Sequence, residues 1–286
     1  MASDLVGKVF LVTGATEGIG KAAALDFAKR GATLVLVGRN KEKSERVVAD
    51  LKRDSGSEKL SLLLGDMSKL DDVRAVARSF AQAHDRLDVL VNNAGALFAD
   101  YKLSPDGFEM TFALNHLGYF LLTHELLPML EKTSGSRVVS TSSAAHQTGK
   151  MNLDYIAKRD GNSAGFAAYG DSKLANILFT RSLAKRAPGV VVNCFHPGFV
   201  QTGFGQNNQG VLASLISFTG KLFARTPEKG AETLIWLATS PDAAKLTGEY
   251  FHDKKPAKTT RLAKDDTAAE GLWALSEKLC GITKTS

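Results

Sequence analysis

The feature that most constrains this chain is an alternation that never breaks. Short apolar runs rich in Val and Leu take turns with helix-period segments along the sequence. The strand candidates are Lys8–Thr13, Thr33–Val37, Leu60–Leu64, Leu87–Val91, Arg137–Thr141, Val190–Phe195 and Glu249–His252. Each reads as a strand buried on both faces. The helix candidates between and after them are Gly18–Arg30, Lys41–Arg53, Leu70–His84, Pro105–Glu131, Ala168–Ala187, Pro227–Thr239 and Asp266–Leu279. Arg30-Gly31 closes the first with a cation and a glycine, and Ser104-Pro105 is expected to open the fourth as cap and first-turn proline. Strand, helix, strand in this order implies right-handed crossovers and a mostly parallel sheet. The expected fold class is therefore α/β: a doubly wound, mostly parallel, seven-stranded sheet with helices on both faces, in three αβα layers. No repeat, low-complexity tract or Pro/Ser linker divides the 286 residues, so residues 1–286 read as one domain.

The end of the first strand sharpens this to a Rossmann-type arrangement. It runs straight into Gly14-Ala15-Thr16-Glu17-Gly18-Ile19-Gly20 and then a helix. A glycine-rich turn there lets backbone approach a pyrophosphate, and the helix N-terminus offers free N–H groups and the positive end of its dipole. Gly14, Thr16, Glu17, Gly18, Ile19 and Gly20 are thus candidate cofactor contacts, although the spacing is G-x-x-x-G-x-G rather than G-x-G-x-x-G. An acid reading a ribose 2′-hydroxyl would stand near the end of the second strand, about 20 residues past the glycines. The sequence there is Val37-Gly38-Arg39-Asn40, with Lys43 one turn further on. A small residue beside a guanidinium and an ammonium suits the 2′-phosphate of NADP, so NADP(H) is preferred and NAD(H) stays admissible. Asp66, with Met67 after it, closes the third strand; it is placed either to accept from an adenine amino group or to cap the segment that follows. Strand four ends in Asn92-Asn93-Ala94-Gly95: amides able to pin loop backbone, and small residues against which a flat cofactor can lie.

Chemistry concentrates further on. Tyr169-Gly170-Asp171-Ser172-Lys173 puts a phenol and an ammonium at i and i+4, on one helix face. A phenol titrates near 10, too high for a base at neutral pH; a neighbouring ammonium is expected to draw it down. The fifth strand ends in Ser140-Thr141-Ser142-Ser143, at the crevice where parallel sheets bind ligands. Spacing alone does not choose among the three serines.

These motifs, in this order, resemble the short-chain dehydrogenase/reductase family: TGATEGIG at 13–20, NNAG at 92–95, Asn115, the serine run ending at Ser143, YGDSK at 169–173 and HPG at 196–198. The stretch RVVSTSSAAH, the helix YGDSKLANILFT and the tail from GEYFHDKKPAKTTRLAKDD to LWALSEKL are similar to its retinol-dehydrogenase-like branch. The resemblance implies an NAD(P)-dependent oxidoreductase that interconverts a carbonyl and an alcohol, in a branch that is mostly NADP-linked. It implies Tyr169 as general acid/base and Lys173 as the residue that lowers its pKa and holds the nicotinamide ribose. It implies Ser143 as the serine that orients the carbonyl, and Asn115 as support for a proton relay through water and Lys173. Pro197, Gly198 and Val200 would shape the nicotinamide pocket and Thr202 would touch the carboxamide or phosphate. Hydride would pass between nicotinamide C4 and the carbonyl carbon, with no metal. Glu17 departs from the pattern, since many NADP-linked relatives carry a basic residue there. An insertion of about Ala144–Gly165 precedes Tyr169, a substrate lid is expected over about 199–225, and a C-terminal extension over about 253–286. The substrate class implied is a small lipophilic carbonyl or alcohol, such as a retinoid or a steroid-like compound.

Composition excludes other classes. Hydrophobic residues at 44% and charged residues at 23% argue against disorder and a coiled coil, and a net charge of +6 without clustering argues against nucleic acid. Cys194 and Cys280 form neither a disulfide framework nor a zinc spacing. The N-terminus MASDLVGKVF lacks a signal-peptide pattern, and the apolar stretch Met110–Leu130 is broken by Asn115, His116, His124, Glu125 and Pro128. A soluble cytoplasmic protein without an integral membrane segment is expected; the run VLASLISF at 211–218 leaves peripheral membrane contact open, and a homo-oligomer is compatible. Two alternatives are a catalytically silent NADP(H) sensor, against which both Tyr169 and Lys173 speak, and a protochlorophyllide-type C=C reductase, for which no cysteine lies near the serine run or the tyrosine helix in sequence.

Overall fold

The computed structural model describes residues 3–156, 165–200 and 225–282. Its elements in chain order are β1 (Val9–Thr13), α1 (Gly18–Lys29), β2 (Thr33–Gly38), α2 (Lys41–Ser55), β3 (Leu60–Leu64), α3 (Leu70–Ala83) and β4 (Val89–Asn92). Then come α4 (Met110–Phe112), a π-helical stretch (Ala113–Leu117), α5 (Gly118–Lys132), β5 (Arg137–Thr141), a 3-10 turn (Ala144–Thr148), α6 (Leu153–Ile156) and α7 (Phe166–Arg186). β6 (Val191–Phe195), α8 (Pro227–Thr239), β7 (Tyr250–His252), β8 (Lys255–Pro256) and α9 (Asp266–Leu279) complete the described chain.

The strands alternate faces, and both faces are apolar. Leu11 points into a core built with α3, α5, α7 and α9; Phe10 and Val12 point into a second core built with α1, α2 and α8. Two buried faces force helices onto both sides, which makes the three layers. The strand order is β3-β2-β1-β4-β5-β6-β7-β8. Among the described residues seven strands run parallel and only the β7–β8 strand pair is antiparallel. The order turns back at β1, between β2 and β4, so the crevice of this doubly wound sheet opens outside the carboxyl ends of β1 and β4.

The structure corrects two expectations. The sheet has eight strands, not seven. Asp253 and Lys254, both left-handed (φ 49° and 62°), fold Lys255–Pro256 back on β7. Two successive left-handed residues make a tight hairpin turn, and Asp-Lys is a weak sequence signal for one. The fourth helix does not start at Ser104-Pro105. Ser104 O accepts from Gly107 N at 2.9 Å, Gly107 is left-handed (φ 79°), and the helix begins at Met110. Pro-Asp-Gly is turn chemistry, and it overrides the cap-and-proline reading. Glu109, fully buried, caps the helix by accepting from Thr111 N (3.0 Å) and Phe112 N (2.8 Å). Among the described residues no helix is long and apolar enough to cross a membrane.

The opposite end of the sheet is locked by Asp88. Its carboxylate accepts from Lys8 Nζ (3.0 Å), Val9 N (2.9 Å), Arg86 Nε (2.8 Å) and Arg86 Nη2 (2.6 Å). Burial alone would raise its carboxyl; Arg86, the Val9 N–H and Lys8 outweigh burial and hold it below its ordinary 3.8. A depressed folded pKa stabilises the fold above the unfolded value, and that contribution is lost as pH falls through the folded value. Asp88→Asn is therefore expected to destabilise the fold by about 1–3 kcal/mol at pH 7. The gap to wild type should narrow below pH 3.8. Thermal melts from pH 3 to 8 check this, with turnover kept as a control because Asp88 stands at the far end of the sheet from the crevice.

Candidate active site

At the crevice, sequence-distant loops are tied together backbone to side chain. Thr13 Oγ1 donates to Val91 O (3.2 Å) and accepts from Asn93 N (2.9 Å) and Ala94 N (3.1 Å). Asn93 Nδ2 donates to Thr13 O (3.2 Å) and Gly14 O (3.0 Å), and its Oδ1 accepts from Thr141 Oγ1 (3.2 Å). The Asn93 side chain thus pins the ends of β1, β4 and β5 together. Gly14 and Gly18 are left-handed (φ 65° and 55°), and a Cβ on Gly20 would lie 2.3 Å from Gly14 O. Only glycine allows these approaches. Glu17, the N-cap of α1, makes no side-chain cap bond. The first N–H groups of α1 therefore have no carboxylate cap and face the crevice, which suits a phosphate. Ile19 stands close to Val200 across Gly230, whose Cβ position would meet both side chains, at 2.8 and 2.6 Å.

The predicted 2′-phosphate end is more crowded with carboxylates than the sequence implied. Arg39 is 65% exposed, with Nη1 3.5 Å from Asp66 Oδ2. Lys43 Nζ pairs with Glu17 Oε2 at 2.5 Å. Asn40 Oδ1 caps α2 by accepting from Lys43 N, and Asp66 Oδ1 caps its own turn by accepting from Ser68 N and Ser68 Oγ. Asp66 is not the N-cap of α3, which is Lys69, and it holds a local turn at Ser68 instead. Met67 is buried against the α3/α5 core. Gly38 does not leave open room: a Cβ there would lie 2.1 Å from Ser44 Oγ and 2.9 Å from Ser44 Cβ, beside Thr16. A larger residue at that position would have to displace the Ser44 side chain.

Tyr169 and Lys173 lie together on α7, and the three serines differ in their surroundings. Ser140 Oγ is buried without a partner among the described residues, and Ser142 Oγ donates to Lys173 O (2.7 Å). Ser143 caps the 3-10 turn by accepting from Ala145 N (3.1 Å), and its side chain favours the ionised form of the Tyr169 hydroxyl. Lys173 Nζ donates to Thr141 O (3.2 Å) and lies 5.4 Å from the centre of the Tyr169 ring. Asn115 Oδ1 accepts from Ala96 N (2.9 Å), and its Nδ2 donates to Ala96 O and Ser172 Oγ, both at 3.0 Å. Gly95 sits where a Cβ would be 3.0 Å from Asn115 Oδ1 and 3.4 Å from Lys173 Nζ, so both groups converge on this open-faced glycine.

The electrostatics correct the sequence reading. Lys173 was expected to draw the phenol down. Burial instead pushes Tyr169 up to about 12, opposed only by the Ser143 hydrogen bond, and pushes Lys173 down to about 7. Desolvation acts on both charged forms at once, and the ammonium is turned toward Thr141 O rather than toward the phenol oxygen. At neutral pH the tyrosine keeps its proton.

Pro197 and Gly198 follow β6; Gly198 is left-handed (φ 78°) and its N–H donates to His196 Nδ1 (3.3 Å). Val200 bridges Arg225. Thr202 and the expected lid from 201 to 224 lie outside the described residues, as do 157–164 of the expected insertion. Sequence reasoning placed no cysteine near the serine run, yet Cys194 is the sheet partner of Ser140. Its thiol is fully buried, and burial pushes it up to about 12. The π-helical stretch that carries Asn115 had no signal in the sequence.

The comparisons agree with this geometry. The short chain dehydrogenase family model matches residues 8–210. Retinol dehydrogenase 14 of Homo sapiens is 38% identical over 295 residues, covering 97% of this chain and 88% of its own. Retinol dehydrogenase 11 of Homo sapiens is 39% identical over 283 residues, covering 98% and 87%. Among solved structures, an uncharacterised protein from Mycobacterium paratuberculosis has a TM-score of 0.79 at 29% identity, covering 98% of this chain and 97% of its own. A short chain dehydrogenase from Shigella flexneri, solved with NADP, has a TM-score of 0.68 at 28% identity, covering 87% and 98%. With a doubly wound sheet, a glycine-rich turn at its switch point and the buried Tyr169 and Lys173 beside the half-buried Ser143, the chain belongs to the short-chain dehydrogenase family, in its retinol-dehydrogenase-like branch.

Proposed function

We propose that this protein is an NADP-preferring oxidoreductase that reduces lipophilic aldehydes or ketones to alcohols, of retinoid or steroid-like size, and runs the reverse reaction when driven. The observation that carries the reading is a buried Tyr169 whose hydroxyl feels Ser143 and whose ring centre lies 5.4 Å from the Nζ of the buried Lys173. The turn Gly14–Gly20, with Ala94 and Gly95, would hold the dinucleotide, and Lys173 its nicotinamide ribose. When bound, the nicotinamide supplies or accepts hydride at C4. Ser143 holds the carbonyl oxygen. Tyr169, protonated at neutral pH, gives that oxygen its proton. Asn115 fixes the loop at Ala96 and, through Ser172, the helix that carries Tyr169.

NADP preference is supported by the absence of an acid at Val37-Gly38-Arg39-Asn40 and by the exposed Arg39 at the end of β2. The lipophilic substrate is supported by the retinol dehydrogenases among the relatives and by Phe166. Phe166 is 57% exposed, and its ring lies 6.2 Å from that of Tyr169.

An NADPH-consumption panel of retinal, steroid ketones, medium-chain aldehydes, short aldehydes and quinones tests the reading. Turnover is expected on the lipophilic members; tight NADPH binding with no turnover on any member would leave only a sensor. Arg39→Ala is expected to weaken NADPH relative to NADH by about 10- to 100-fold, the value of a charged hydrogen-bond donor on a phosphate. Titration of both nucleotides by fluorescence checks it, and an unchanged preference would remove Arg39 from the cofactor site.

A further inference from the structure

The π-helical stretch turns two successive polar side chains inward, Asn115 and His116, both fully buried. Such one-turn widenings recur at functional sites. Asn115 grips α7 at Ser172, Nδ2 to Oγ 3.0 Å. His116 meets the same helix one turn later, Nδ1 to Asn176 Oδ1 3.4 Å. Lys173 lies between these two holds. Asn176 Nδ2 donates to Thr141 O at 3.1 Å, and this is the oxygen to which Lys173 Nζ donates at 3.2 Å. On the far side of the imidazole, Nε2 is 2.9 Å from Ser276 Oγ on α9, and Ser276 Oγ donates to Leu272 O at 2.8 Å.

Burial pushes His116 down to about 4, so the ring is neutral at pH 7 and has one N–H for two neighbouring oxygens. When the Ser276 hydroxyl turns from Leu272 O to Nε2, the ring carries its own proton on Nδ1 and donates to Asn176. The donors then run one way, from α9 through His116 and Asn176 to the carbonyl of Thr141. Asn176 takes one lone pair of that carbonyl and leaves the other to the lysine. The ring plane is set independently by packing on Phe112 (5.0 Å between centroids) and edge-on against Phe179 (6.2 Å). An apolar ring would fill this site without the desolvation that a histidine incurs, so the polar edge of the ring needs a reason beyond packing.

We propose that His116 is a positioning residue for Lys173, acting through Asn176 and the shared Thr141 carbonyl, and that Ser276 anchors it so that the C-terminal helix is part of the active site. The inference rests on the reading of Tyr169 and Lys173 as the reacting pair. Without the Asn176 bond, the Thr141 carbonyl is free to draw the ammonium closer, and the lysine and its tyrosine titrate differently.

His116→Phe keeps the ring packing and removes both polar contacts. It is expected to lower kcat about 10-fold, leave KM for NADPH and carbonyl within about 3-fold, and move the pH profile of kcat by about half a unit. His116→Gln, which keeps a donor and an acceptor, should recover most of the rate. Asn176→Ala should shift the profile in the same direction, and the double variant should be no worse than the worse single one, because the two act in series. A wild-type kcat and profile in both single variants overturns the proposal, and so do losses that multiply. If melting shows that His116→Phe does not fold, Asn176→Ala alone decides by the same profile. Lys173→Met separates the two layers. Wild-type turnover in that variant defeats the reacting pair itself. Its loss, with His116→Phe and Asn176→Ala unaffected, defeats only the positioning role of His116.

Discussion

Tyr169→Phe is expected to lower kcat by about 10²- to 10⁴-fold, the usual contribution of a positioned acid or base. The fold should not notice. The ring stays buried against Phe166 and Lys173, and only the hydroxyl is lost. Ser143 keeps its bond from Ala145 N, so the 3-10 turn stays capped. The melting temperature and the NADPH affinity should therefore stay close to wild type while turnover collapses. That split distinguishes loss of a proton donor from loss of a site. Stopped-flow NADPH consumption on the best substrate of the panel measures it. Equal rates in wild type and variant would show that the phenol does not carry the proton.

Gly20→Ala should have the largest effect on the cofactor. A Cβ at this position would sit 2.3 Å from Gly14 O and 2.6 Å from Asn93 Nδ2. The first is backbone and cannot rotate away. The second belongs to the amide that holds Gly14 and Thr13 in place. One methyl group must therefore push the turn off β4 or tilt the start of α1. A displacement on the order of 1 Å in a positioning element can cost about 100-fold, and NADPH affinity is expected to fall by at least that much. Overpacking should lower stability by about 1–3 kcal/mol as well. Fluorescence titration of NADPH and a denaturant melt measure the two effects. Wild-type affinity in a folded Gly20→Ala protein would mean that the turn does not approach the dinucleotide.

Much of the architecture was legible in the residues. Pro227–Thr239 and Asp266–Leu279 are helices at their predicted bounds, and Leu60–Leu64 and Arg137–Thr141 are strands at theirs. These are segments whose apolar period or β-branched content is strong and whose ends carry plain stop signals. Where the reading failed, a local signal lost to a competing one. Pro105-Asp106-Gly107 is a turn first and a helix start second. The hairpin at Asp253-Lys254 uses left-handed residues other than glycine, which sequence rarely announces. The site divides in the same way. The phenol and ammonium of Tyr169 and Lys173 are four residues apart on one helix, so their juxtaposition is written in the spacing. Ser143 could be singled out from Ser140 and Ser142 only by family resemblance, because their surroundings are set by α7 and β6 and not by spacing.

What the sequence determined by itself was the short-range part. Alternating apolar strands and helices require a sheet covered on both sides, and a glycine turn between the first strand and first helix gives a place where backbone can approach a phosphate. What only the tertiary structure decided depends on groups brought together from distant segments. Glu17 and Lys43 are paired, as are Arg39 and Asp66, because β1, β2 and β3 end at one edge of the crevice. Tyr169 and Lys173 have their pKa values moved in opposite directions because both are buried beneath the same layer. His116 reaches Ser276, 160 residues away, because α9 packs over α7. Periodicity is a property of neighbours along the chain; desolvation and ion pairing are properties of neighbours in space, and only the fold assigns those.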